Sequence, residues 1–137
     1  MADASASEVK AWMTKAWRDL ETARRSATTE PPFYDIAVYH LQQAAEKAVK
    51  AFLVHQQKPW QKTHDIEVLV DLASDLEADF KKLSDAADAL TPYATRFRYP
   101  NATFAVEPQP AEYDEALLQA QLIYDFVLLR LPASAHP

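Results

Sequence analysis

Apolar residues recur every three or four positions along most of this chain, and the recurrence stops at only a few places. The longest uninterrupted stretch runs over 34–57, YDIAVYHLQQAAEKAVKAFLVHQQ, with no Gly, no Pro and one Asp at its start. Nothing inside it stops a helix. Ala37, Leu41, Ala44, Ala48 and Phe52 form one face, and Val38, Ala45, Val49 and Leu53 form the next. Two apolar rows require neighbours on more than one side, so this stretch is expected to be the central helix of a bundle. His40, Gln42, Gln43, Glu46, Lys47 and Lys50 interrupt those rows, and polar groups in such places need partners.

The remaining segments read as helices around it. Ser7 is an expected N-cap with Glu8 behind it, and Val9, Trp12, Met13, Ala16, Trp17, Leu20, Ala23 and Ala27 keep helical spacing. Lys10, Lys15, Arg18, Arg24 and Arg25 then lie outside. The tract TTEPP at 28–32 separates this helix from the central one. QQKPWQK at 56–62 ends the central helix and leaves Trp60 at an exposed position, as a cap on the bundle or part of an interface. A third helix follows, with Ile66, Leu69, Val70, Leu72, Ala73 and Leu76 as its apolar set, continuing to Phe80. Ser84 and Asp85 open a fourth, carried by Leu83, Ala86, Ala87, Leu90, Ala94 and Phe97, with a kink or restart expected at Thr91-Pro92. An extended loop over 102–110 leads to a final helix over 112–131. There Tyr113, Ala116, Leu117, Ala120, Ile123, Tyr124 and Val127 face the core, and Leu118, Leu122, Phe126 and Leu129 form a second row suited to a dimer interface. The expected architecture is all-α, a four- to five-helix up-and-down bundle in one domain, 1–137. Its core spans about 7–131, with tails at 1–6 and 132–137.

Composition agrees. Gly is absent from the 137 residues, where average usage of ~7% would supply about ten. Hairpins depend on Gly for positive φ, which argues against a β-rich fold. The absence of Cys removes disulfides, thiolate metal sites and thiol catalysis. No apolar run approaches the ~20 residues of a membrane span, and the first ten residues lack the pattern of a secretory signal, so a cytoplasmic protein is expected. A net charge of −6 argues against broad non-specific binding to nucleic acid but not against a local basic cleft.

Catalytic signatures are scarce. There is no Gly-rich phosphate loop, and His40, His55, His64 and His136 contain no i,i+3 or i,i+4 pair, so no helix-borne metal site, cofactor or catalytic residue is assigned. Three groups of polar residues remain. His40, Glu46, Lys47 and Lys50 lie on the central helix, where Glu46–Lys50 has favourable i,i+4 spacing for a structural ion pair. Lys62, Thr63, His64 and Asp65 form either a capping turn or an anion site at a helix N-terminus. Arg98 and Tyr99, before Pro100, either end a helix with a favourable cation or belong to a site.

In this order and spacing, YHLQQAAEKAVKAFL, KTHDIEVLV and YATRFRYP, led by WRDLETAR at 17–24, resemble the HEPN family, the nucleotide-binding domain of higher eukaryotes and prokaryotes. The similarity covers roughly 9–131. It implies a helical bundle that dimerises, often pairs with a minimal nucleotidyltransferase in a toxin–antitoxin-like module, and in this branch binds a nucleotide. The site residues it suggests are His40, Glu46, Lys47, Lys50, Lys62, His64, Asp65, Arg98 and Tyr99. Other branches of the family are metal-independent ribonucleases carrying Arg, four to six residues, then His. Neither Arg96 nor Arg98 is followed by such a His. Arg130 and His136 match the spacing, but Pro132 intervenes and the stretch is the chain's tail. General acid–base cleavage of RNA therefore lacks an obvious proton carrier. RNA is the less favoured ligand, and a ribonuclease toxin or a purely structural dimeric bundle are the alternative readings.

Overall fold

The computed structural model describes residues 2–100 and 107–137, with side chains from residue 6 onward. Five α-helices are present among them: α1 Ala2–Ala27, α2 Tyr34–His55, α3 Ile66–Leu76, α4 Ser84–Leu90 and α5 Pro110–Leu128. Short 3₁₀ turns cover Ala78–Leu83, Thr91–Ala94 and Ala133–Ala135. No strand occurs among the described residues, and the expected all-α bundle is the fold. Most of the loop expected over 102–110 falls outside the described residues.

α2 is the centre. Its two apolar rows are buried throughout, between α1 on one side and α5 with α3 on the others. The aromatic spine of the core runs Phe52–Phe80–Phe126, with ring centroids 4.3 and 5.0 Å apart. α1 packs far more extensively on α2 than on α5, which leaves a groove between α1 and α5.

Several boundaries differ from those expected. α1 begins at Ala2, so Ser7 lies inside the helix rather than capping it. α3 ends at Leu76 because Glu77 is extended (φ −144°, ψ 108°), and Phe80 reaches the core from a 3₁₀ turn instead. Ser84 begins α4 without a side-chain cap. That helix stops at Leu90: Pro92 has no N–H to continue the ladder, and the chain tightens into a 3₁₀ turn before Phe97. Trp60 is half-buried, edge-on to Trp12 at 5.9 Å. Phe126 turns inward onto Phe80, whereas Leu118, Leu122 and Leu129 stay exposed.

Without Gly, the chain closes α2 with a less suitable residue. Lys58 N–H donates to Leu53 O (2.8 Å) and Gln57 N–H to Val54 O (2.9 Å), a Schellman closure with Gln57 in the left-handed position at φ 56°. A residue with a Cβ costs roughly 1–2 kcal/mol there, against about 0.5–1 kcal/mol of extra chain entropy for Gly. Gln57→Gly should therefore raise stability by about 1 kcal/mol in urea denaturation; a loss would show the closure is not strained.

The buried phenols make a second prediction. Burial, and then the hydrogen bond donated to Glu112 Oε2 (2.7 Å), hold Tyr93 well above the usual tyrosine range, and burial raises Tyr113 and Tyr124. A raised folded-state pKa means stability that is full below the unfolded value of about 10 and lost as pH climbs past it. Absorbance at the phenolate band should show three of the six tyrosines ionising late and together with alkaline unfolding.

Candidate functional site

The polar residues of α2 form a stripe whose partners come from α2 itself, from α1 and from the connection to α3. Glu46, only 3% exposed, is its centre. Its Oε2 accepts from Lys50 Nζ at 2.9 Å, and its Oε1 accepts from Gln42 Nε2 at 3.1 Å and from His64 Nδ1 at 3.0 Å. Gln42 also donates to His64 O (3.0 Å) and accepts from Gln43 Nε2 (2.6 Å). Because a carboxylate only accepts, Nδ1 of His64 carries the proton, and its side chain, 63% exposed, turns the rest of the ring toward solvent. Lys50 completes this end of the stripe between two indoles, with Nζ 5.9 Å from the centroids of both Trp12 and Trp60.

A second cluster lies one turn away, against α1. Buried Asp19 accepts from His40 Nδ1 at 2.8 Å and from Lys47 Nζ at 2.7 Å. Tyr39 stands edge-on to His40 at 5.3 Å. The Arg98 guanidinium lies over Tyr39 at 4.5 Å and 5.6 Å from exposed Tyr99. Phe97, which sets the direction of Arg98, is in the left-handed region at φ 68°, unusual for a bulky residue. Its ring stacks on Tyr93 at 6.2 Å and carries the Arg96 guanidinium at 4.6 Å. Backbone strain of this kind, placed between two cations, is what functional surfaces tend to hold.

Glu46, Lys50 and His64 thus form one cluster and His40 and Lys47 a second, which Arg98 and Tyr99 adjoin through Tyr39. Lys62 is exposed and apart. Asp65 is the N-cap of α3: its Oδ1 accepts from Glu67 N–H (3.0 Å), while Thr63 Oγ1 accepts from Asp65 N–H (3.0 Å) and Thr91 Oγ1 from Ile66 N–H (3.2 Å). The amides an anion would use at this helix start are already engaged, and the capping alternative describes the turn. Arg130 is held by Glu77 (2.8 Å) over Phe126, and His136 Nε2 lies 2.9 and 3.1 Å from the carbonyls of Leu128 and Leu131. That Arg–His pair is occupied in structure. Among the described residues no His, Asp and Glu cluster could hold a metal ion, and no helix is long and apolar enough to cross a membrane.

Sequence reasoning did not place Asp19, Tyr39, Trp12 and Trp60 in the site. One signal was present: Asp19 falls between Ala16 and Leu20 on the buried side of α1, where a carboxylate needs a cation from elsewhere.

An all-helical bundle with a buried ion network on its central helix is the class this geometry defines. Residues 9–131 match the family model of the HEPN domain. The chain belongs to the HEPN family. Two solved structures resemble it over nearly their whole length. An archaeal HEPN homologue, ST0689, is 30% identical with a TM-score of 0.69, over 89% of this chain and 96% of that one. TT1696 from Thermus thermophilus is 32% identical with a TM-score of 0.74, over 90% and 98%. No curated protein matches.

Removing one partner of a buried ion pair leaves the other charge uncompensated, at a cost of about 3–5 kcal/mol. Glu46→Ala should lose that much in urea denaturation, and the double change Glu46→Met with Lys50→Leu should recover most of it. A neutral Glu46→Ala would mean the network contributes little to holding α2.

Proposed function

We propose that this HEPN domain is a non-catalytic binding module that dimerises and uses the α2 stripe and its rim to hold a nucleotide or a minimal nucleotidyltransferase partner, in a toxin–antitoxin-like pair. The observation that carries this reading is the open end of the stripe. Arg98 stacked on Tyr39, with exposed Tyr99, offers π-faces and a guanidinium, and the outward ring of His64 offers a ring nitrogen two helical turns or roughly 10 Å farther along α2. Such a set suits a base and a phosphate together. The buried half of the stripe is already satisfied and serves to hold these groups in place.

The exposed row of Leu118 and Leu122 on α5 and Leu129 at its C-cap supports dimerisation, since a row of this kind is usually covered. Calorimetric titration of ATP and other nucleotides should give saturable heat, with affinity about tenfold weaker in Arg98→Ala, the size expected for losing a stacked, charge-assisted contact. Absence of heat, with normal co-purification of a nucleotidyltransferase in Arg98→Ala, would sink the site assignment. Leu122→Asp should convert a dimer to a monomer by light scattering.

Ribonuclease action remains the second reading, favoured by one observation: His64 is exposed and backed by a buried carboxylate, an arrangement that suits a general acid–base. Arg98, however, stands over Tyr39, two helical turns or roughly 10 Å along α2 from Glu46. Purified protein that leaves RNA intact removes this reading.

A further inference from the structure

The groove between α1 and α5, on a face of α1 the polar stripe does not use, is a second site. It encloses about 700 Å³ and is lined by Leu20, Trp17, Tyr124 and Leu128, with Lys10, Arg18 and Arg24 along its length. Clefts that hold small ligands run to about 300–1,000 Å³ with mainly apolar walls and a few polar groups. Among the described residues no Asp or Glu side chain lines it, in a chain whose net charge is −6. Two acids on the same helices are already engaged: Glu21 accepts from Arg24 Nη1 at 3.0 Å, and Asp125 accepts from Gln121 Nε2 at 2.8 Å. Arg24 also donates to Gln121 across the groove, a bridge that fixes its guanidinium at one end. At the other end His136 and Pro137 form the wall. Among the described residues Lys10 and Arg18 have no ion-pair partner, while half-exposed Trp17 stands between them.

We propose that this groove binds an amphipathic anion, a small molecule with an apolar body and a carboxylate or phosphate head. The body would lie on Trp17, Leu20, Tyr124 and Leu128 and exclude water from them. The head would meet Lys10 or Arg18, cations without an acidic partner among the described residues. Arg24 is a positioning residue, since its bridge to Gln121 keeps the two helices at the spacing that leaves the groove open. A neutral ligand of the same shape would leave the cations uncompensated, and an anion without an apolar body would leave the floor wet.

The experiment titrates the full chain with decanoate, decyl phosphate and decanol, followed by nitrogen-edited NMR of the Trp17 indole and the Gln121 side-chain amide. The two anions should shift both signals saturably, decanol should bind much more weakly, and the stronger of the anions identifies the head. Arg18→Gln and Lys10→Gln, both at exposed positions, should together weaken the anions at least about tenfold. They should leave the Trp12 and Trp60 indole signals unmoved. Equal binding of decanol, an unchanged affinity in the double variant, or shifts centred on Trp12 and Trp60 would each overturn the proposal.

Discussion

The carboxylate of Glu46 has almost no contact with water, and the groups that neutralise it tie α2 to α1 and to the segment before α3. An isolated carboxylate in an apolar interior is too costly to persist. Lys50, Gln42 and His64 together supply the three donors it holds. Each donor constrains a different piece of chain. Lys50 must sit between Trp12 of α1 and Trp60 of the connection after α2. Gln42 and the His64 side chain draw the start of α3 against the middle of α2. The connection from α2 to α3 is therefore pinned at Trp60 and at His64, although it carries little regular structure of its own.

The Asp19 cluster repeats this arrangement on the α1 side. Lys47 and His40 bind the two oxygens of one carboxylate, so α1 is held to α2 in register as well as by apolar contact. Ion networks of this kind are weak evidence for stability, because a well-packed apolar replacement often does as well. Their effect here is positional: they hold the His64 ring against Glu46 and tie His40 and Lys47 to α1. The two faces of α1 differ in the same way, with the neutralised cluster toward α2 and, among the described residues, Lys10 and Arg18 without an ion-pair partner toward the groove beside α5.

Much of the architecture was legible from spacing alone. The two apolar rows on 34–57, the breaks at 28–32 and 56–62, and the Glu46–Lys50 pair all report distances within one helix, which the 3.6-residue period sets. The HEPN resemblance over 9–131 rests on the same residues, and the family model covers the same span. Reading failed where an element ends for a backbone reason with no strong residue signal. Glu77 turns extended and ends α3, and Phe80 still reaches the core, because a 3₁₀ turn re-aims its side chain. Trp60 looked exposed because its loop is polar; only the edge-on indole of Trp12 shows why it is not.

What the sequence determined by itself is the set of helices, the buried faces and the presence of polar groups that had to be satisfied. Which partner satisfies each was decided by packing. Asp19 meets His40 and Lys47 across 21 and 28 positions, and Arg24 meets Gln121 across 97. Such choices depend on how helices lie against one another, and periodicity carries no information about that. The left-handed turn at Phe97, which orients Arg98 onto Tyr39, is of the same kind. Its backbone conformation is unfavourable locally, and tertiary contacts with Tyr93 and Tyr39 hold it there.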